Sequence, residues 1–276
     1  MQELQLHEKH DQKGCQMNGK EIITERVNRI AILRFNRPLV HNALNAAMFE
    51  QLEKALNEVE NDSGIRVVIF TGSGDKSFIA GSDIKELRQR NPLTGIEAST
   101  ERQSILNRIE GFQIPSIAAI NGYAFGFGFE LTLSCTLRLA SEKASLGQLD
   151  INLGIIPGAG ATQRLPRLIG KAKASELLLM GRIIQAEDAF RIGLVNKVVH
   201  HEILMEESLR WAEELAEKSP VAMKYALTAI NQGVGADLAT GLKIESQCLG
   251  ACYASPDSQE GLKAFLEKRK PKFGED

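Results

Sequence analysis

The run Val67-Val-Ile-Phe70 contains no polar residue, so a strand there has no face that tolerates water and must be covered on both sides. Ser116-Ile-Ala-Ala-Ile120 and Leu137-Arg-Leu-Ala140 read as further strands, and Leu194–Val199 as a last one. Segments of helical character separate them, at 46–60, 83–90, 96–110, 130–134 and 172–180. Strands spaced by helices build parallel β-α units. Ahead of them, Ile22–Phe35 alternates apolar and polar residues with a break near Arg26, which predicts two short strands. From Glu202 onward the pattern is helical only. It is punctuated at Ser219-Pro220 and Ser255-Pro256, where each Ser is placed to cap a helix and each Pro to begin one. The expected organisation is an α/β core over residues 21–200 and a helical region over 201–276, with residues 1–20 as a polar, flexible extension.

Charge and composition exclude several classes of function. A formal net charge of −2 over 276 residues provides no basic surface for nucleic acid. No apolar run approaches the ~18 residues that span a bilayer, so no membrane partner is expected. The first residues carry Glu3, Glu8 and Asp11, unlike a signal or transit peptide, and a cytoplasmic address is the expectation. Cys15, Cys135, Cys248 and Cys252 show no CxxC pairing, which points to reduced thiols. Cys248 and Cys252 lie one helical turn apart, and His200-His201 read as surface residues after a strand, so no metal site is expected.

The chemistry concentrates in Asn121-Gly-Tyr-Ala-Phe-Gly-Phe-Gly-Phe-Glu130, where a carboxylate follows glycines that let main-chain N–H groups approach a ligand. A second acid, Asp150, precedes another glycine-rich loop, Gly154-Ile-Ile-Pro-Gly-Ala-Gly160. Upstream, Gly81-Ser82 stands just before a helix, which leaves the Ser82 N–H unpaired; Gly126-Phe127-Gly128 stands likewise before the helix of Glu130. Two such donors converging on one carbonyl oxygen form an oxyanion hole, and two acids beside it suffice for proton transfer. Each acid also has a plainer reading: Glu130 as a dipole-stabilising residue at a helix start, and Asp150 as a solvated loop acid. Phe125, Phe127 and Phe129 alternate as core residues do. A dinucleotide-dependent oxidoreductase is a rival, because Gly126-x-Gly128 follows a strand with an acid beyond it. Leu131, however, occupies the position of the third glycine. The 154–160 loop lacks the Lys-Ser/Thr of a P-loop.

Taken in order, these segments resemble the crotonase, or enoyl-CoA hydratase/isomerase, superfamily. The matching residues are Asn36-Arg-Pro38, His41-Asn-Ala-Leu44, Phe78–Lys85, Asn121–Ala124 through Glu130-Leu131, Gly147-Gln148, Gly154–Gly160, Thr162-Gln-Arg-Leu165 and Arg191–Asn196. They extend over about residues 22–272. The resemblance implies a spiral of ββα units followed by a helical trimerisation region, assembled as a homotrimer or a dimer of trimers. It implies an acyl-CoA substrate whose thioester oxygen is held by the N–H groups of Ser82 and Phe127, with no metal and no other cofactor. Glu130 would help to activate the water that adds to Cβ, and Asp150 would exchange the proton at Cα. Val40, Ala43, Ala80, Gly81, Asp83, Ile84, Gly126, Pro157 and Gly158 would line the CoA and acyl path. Phe265 and Lys268 would meet the CoA phosphates from the last helix, within the same subunit or a neighbouring one. Isomerases, hydrolases and cyclic dienoyl-CoA hydratases share the pattern, as do binding proteins that keep the fold. Two departures stand out: Asp150 replaces the usual glutamate, one methylene shorter, and Phe127 replaces a glycine. Both suggest an unusual acyl group.

Overall fold

The computed structural model describes residues 20–274, so the expected extension over 1–20 lies, but for Lys20, outside the described residues. In chain order, the strands are β1 (Ile22–Val27), β2 (Ile30–Phe35), β3 (Val67–Gly72), β4 (Ser77–Ile79), β5 (Ser116–Ile120), β6 (Tyr123–Phe125), β7 (Leu137–Ser141), β8 (Ser145–Gly147), β9 (Ile183–Gln185) and β10 (Lys197–Val199). The helices are α1 (Ala46–Asn61), α2 (Ile84–Arg88), α3 (Pro92–Glu110), α4 (Phe127–Ser134), α5 (Ala161–Ile169), α6 (Lys171–Leu179), α7 (Ala186–Arg191), α8 (Leu204–Ala216), α9 (Pro220–Gly233), α10 (Leu238–Tyr253) and α11 (Pro256–Leu266).

A six-stranded sheet runs in the order β1-β2-β3-β5-β7-β10, antiparallel only between β1 and β2. Alternation along its strands divides the core in two. Ile30, Ile32, Val67, Ile69, Ile117, Ala119 and Leu139 face α8, while Ala31, Leu33, Phe35, Val68, Phe70, Ala118 and Ile120 face the rest of the domain. This is the physical reason the Val67–Phe70 run lacks polar residues: each side chain meets a different apolar layer, and each buried Val or Ile contributes ~1.5–3 kcal/mol. Because α8 covers one face, it belongs to the packed core although it lies beyond residue 200.

A second sheet, β4-β6-β8-β9, sits against the inner layer. The chain passes from a long strand of the first sheet to a short strand of the second and then toward a helix, as in β3–β4–α2, β5–β6–α4 and β7–β8–α5. That repetition is the spiral the resemblance implied.

Several motif residues are architectural. Buried Asn121 accepts from Gly72 N–H and donates to the carbonyls of Gly72 and Gly74, tying β3 to the β5–β6 turn. Buried Asn42 bonds Ser73 and Ser77 carbonyls and accepts from Arg37 N–H, fixing the turn before α1. Asn45 caps α1 by accepting from Met48 N–H.

Some expectations need correction. The break in the first hairpin falls at Asn28-Arg29, where Asn28 takes φ 53°, and not near Arg26, which pairs within β1. The expected last strand is confined to Lys197–Val199, because Leu194 and Val195 turn into the core after α7. Helix α3 begins at Pro92, earlier than 96, because Asn91 accepts from the N–H groups of Leu93 and Thr94 in a capping box. Helix α2 is shorter than the expected 83–90, while α4 begins at Phe127, three residues before Glu130. Ser219 caps α9 as expected, but the Ser255 hydroxyl donates back to Cys252 O and makes no cap.

Candidate active site

Strands β4, β6 and β8 deliver their C-terminal ends to one cavity of about 360 Å³. Ala80, Gly81, Ser82 and Ile84 line it after β4, Gly126, Phe127 and Glu130 after β6, and Asp150 after β8, with Gly158 from the following loop. These expected site residues therefore meet. Arg102, Leu87, Phe125, Leu149, Asn152 and Leu153 complete the wall.

The two expected amide donors are set by local backbone constraints. Ser82 forms a parallel bridge with Leu44, in which Leu44 N–H donates to Gly81 O and Asp83 N–H donates to Leu44 O. That pattern uses the amides flanking Ser82 and turns its own N–H to the other side. Phe127 is the first residue of α4, so its N–H precedes any intrahelical acceptor. The turn into α4 needs Gly126 at φ 52° and ψ −124°, a region that side chains disfavour. Gly128 is fixed by space: a Cβ there would sit 2.2 Å from Ile79 O, so α4 and β4 are packed backbone to backbone.

Glu130 is 3% exposed, and its Oε1 accepts from Ala159 N–H at 2.8 Å and Ala161 N–H at 3.0 Å. The second glycine-rich loop and the first residue of α5 thus each direct a main-chain donor at the carboxylate. Arg164 holds that loop: it donates to Ala159 O, to Asn107 Oδ1 and to Glu110 Oε2 at the end of α3. Burial pushes the Glu130 carboxyl up to about 7, and the nearby Asp150 charge pushes the same way against the two amide bonds. Asp150 opens a short 3-10 turn over Asp150–Leu153 and accepts from Gln148 Nε2 at 2.8 Å. Burial raises its pKa as well, opposed by its hydrogen bonds and by Arg102. Both acids of this cavity are thus shifted toward their protonated forms, the pattern that candidate proton-transfer groups show.

The Phe127 ring does not block this space. It is 3% exposed and packs edge-on against Phe49 at 4.9 Å, while Phe129 is a core residue. Of the remaining expected binding residues, Val40 and Ala43 lie on the segment leading into the Leu44–Ser82 bridge, outside the cavity wall, as do Asp83 and Pro157. Phe265 is 82% exposed at the end of α11, and Lys268 follows in a left-handed turn; within one chain neither lines the cavity. Of the adjoining basic residues, Arg269 is engaged by Glu260 and Glu267.

A family model described as enoyl-CoA hydratase/isomerase matches residues 25–276. The chain belongs to that family. It is 41% identical to the short-chain-enoyl-CoA hydratase of Clostridium acetobutylicum, with 92% of this chain and 97% of the relative covered. It is also 41% identical to the crotonyl-CoA hydratase of Syntrophomonas wolfei, with 93% and 99% covered. An enoyl-CoA hydratase structure from Bacillus anthracis superposes with a TM-score of 0.89 at 40% identity, covering 93% of this chain and all of that one. Within this family member, the glycines at 126 and 128 serve a backbone turn and a close helix–strand contact, which removes the basis of the dinucleotide reading.

Sequence reasoning missed Arg102 and Phe49. Both are single residues within helices, and neither stands out from the charged or apolar residues around it. Arg102 projects from α3 with its guanidinium 4.9 Å from the centre of the Phe49 ring. Burial and the neighbouring Arg90 lower its pKa to about 10, with Glu130, Glu86 and Asp150 pulling it back up, so it stays charged at neutral pH. Among the described residues no carboxylate pairs with it. No helix among the described residues is long and apolar enough to cross a membrane, and no three potential metal-ligating side chains cluster there.

Proposed function

We propose that this chain is an enoyl-CoA hydratase, adding water reversibly across the α,β double bond of an enoyl-CoA thioester. The observation that carries the reading is the convergence of Glu130 and Asp150 on one cavity with the backbone of Ser82 and Phe127. In this mechanism the two N–H groups hold the thioester oxygen, and their bonds strengthen as charge develops on it in the enolate. Glu130, fixed through Oε1 by Ala159 and Ala161, takes a proton from water as its oxygen bonds to Cβ. Asp150 delivers a proton to Cα. Dehydration is the reverse path, and the chemistry needs no metal or redox cofactor. A dissociable pair fits these steps, because one acid must be ionised while the other is protonated.

The reading extends to binding and assembly. CoA enters along the adjacent 40–44 and 80–84 segments, and the exposed Phe265 and Lys268 reach its phosphates from a neighbouring copy. Ile230, Leu238, Leu242 and Leu249 on α9 and α10, with Val234 between the two helices, expose apolar surface of the kind a trimer buries. The buried position of the Phe127 ring favours a linear acyl chain over a cyclic one. Glu130→Gln tests the assignment: it should abolish hydration of crotonyl-CoA while acyl-CoA binding persists, and near-normal turnover would refute it. Comparing crotonyl-CoA with a cyclic dienoyl-CoA tests acyl shape.

A further inference from the structure

We propose that Arg102 selects enoyl-CoA substrates whose acyl chain ends in a carboxylate. This rests on the hydratase reading and names the substrate class for the same cavity. A guanidinium lining a partly enclosed cavity loses hydration, and proteins ordinarily compensate by pairing it with an acid. Arg102 has no such pair; its contact is the face of Phe49. A contact of the cation with a ring face leaves its N–H donors for an acceptor.

The surroundings favour an anion from the ligand. Glu86 and the cavity's own acids, Glu130 and Asp150, attract the cation without forming an ion pair with it, and Glu86 already accepts from the Ala46 amide. Glu130 is further occupied through Oε1 by two amides, and Asp150 by Gln148. Position agrees as well. The Arg102 Cζ–Phe49 and Phe49–Phe127 separations of 4.9 Å each put the guanidinium within about 10 Å of the Phe127 ring, whose residue supplies one thioester donor. Arg102 and Phe127 line the one cavity, so a short acyl chain held there runs within reach of the cation. Planar, two-toothed hydrogen bonding to a terminal carboxylate is the interaction a guanidinium makes best.

The test compares hex-2-enoyl-CoA with hex-2-enedioyl-CoA, which differs by a terminal carboxylate, on the full-length enzyme and on Arg102→Met and Arg102→Lys. Methionine keeps an unbranched stem against Phe49 and removes the charge. The expected result is a wild-type kcat/KM ratio favouring the diacid at least ~10-fold. The ratio should fall ~10-fold or more in Arg102→Met, with partial recovery in Arg102→Lys. A wild-type ratio near one, or a loss of rate on both substrates with the ratio unchanged, would overturn the proposal; the latter would make Arg102 a residue that tunes the acid pair. Titration with saturated hexanoyl-CoA and adipyl-CoA separates this idea from the parent reading. If neither enoyl-CoA is hydrated but adipyl-CoA still binds more tightly in an Arg102-dependent way, only the hydratase assignment fails. Equal binding of the two saturated thioesters sinks the selection.

Discussion

Replacing Glu130 by Gln should make the folded state more stable as well as inactive, and the gain should depend on pH. The carboxyl is raised from 4.5 to about 7, chiefly by burial. A raised acid favours the fold in its protonated form: the stabilisation is fully present below the unfolded pKa, and it disappears as pH rises through the folded pKa. The window here runs from 4.5 to about 7, and at 1.36 kcal/mol per unit the total is about 3 kcal/mol. Glutamine mimics the protonated acid, and its Oε1 can still accept from the Ala159 and Ala161 amides. Asp150 titrates in both proteins and largely cancels in the difference. The stability of Glu130→Gln minus that of wild type should therefore climb by about 3 kcal/mol between pH 4.5 and 8. Urea unfolding at matched protein concentration, at pH 5, 6, 7 and 8, measures this, since any association contributes to both proteins equally. A difference that stays flat across that range would show that Glu130 is hydrated in the fold and that the burial argument is wrong.

Other perturbations probe separate parts of the site. Gly128→Ala places a methyl 2.2 Å from Ile79 O, forcing α4 from β4; it should cost about 1–3 kcal/mol in thermal unfolding. A ~1 Å shift of the Phe127 donor would also lower kcat on the order of 10²-fold, and wild-type kcat would contradict the contact. Asp150→Asn should reduce kcat on crotonyl-CoA by ~10²–10⁴-fold with little change in acyl-CoA affinity; loss of affinity alone would remove its proton-transfer role. Arg164→Met frees the loop that supplies the Glu130 amides, and losing those bonds raises the Glu130 pKa further. The acidic limb of the pH–rate profile should move to higher pH, and an unmoved limb would show that the loop is held by other contacts.

How much of this was legible in the sequence depended on length and on burial. Strands β2, β3, β5 and β7 present five or six residues each, enough for an apolar run or alternation to register. Strands β4, β6, β8 and β9 have three residues apiece, too few for any period, so the second sheet went unread although it positions the site. Glu130 and Asp150 were legible because each sits beside glycines that have few other uses. The destination of the Ala159 and Ala161 amides was not: they point at Glu130, a partner fixed only by how α4 packs beneath the loop. Arg102 was hidden for a different reason. Helix α3 carries several charged residues on its outer turns, and only the packing of α1 beside it singles out the one over Phe49.

The small sheet also sets the pitch of the reaction centre. Neighbouring strands in any sheet lie ~4.8 Å apart, a spacing dictated by main-chain hydrogen bonds and indifferent to side chains. Adjacent β4, β6 and β8 lead in turn to Ser82, to Phe127 with Glu130, and to Asp150. The proposed amide donors and proton carriers are thus strung along a rung-by-rung scale that point substitution cannot stretch. Variation among such enzymes must then work through what hangs from the rungs, such as a carboxylate shortened by one carbon or a cation swung in from a covering helix, with the interval between rungs held constant.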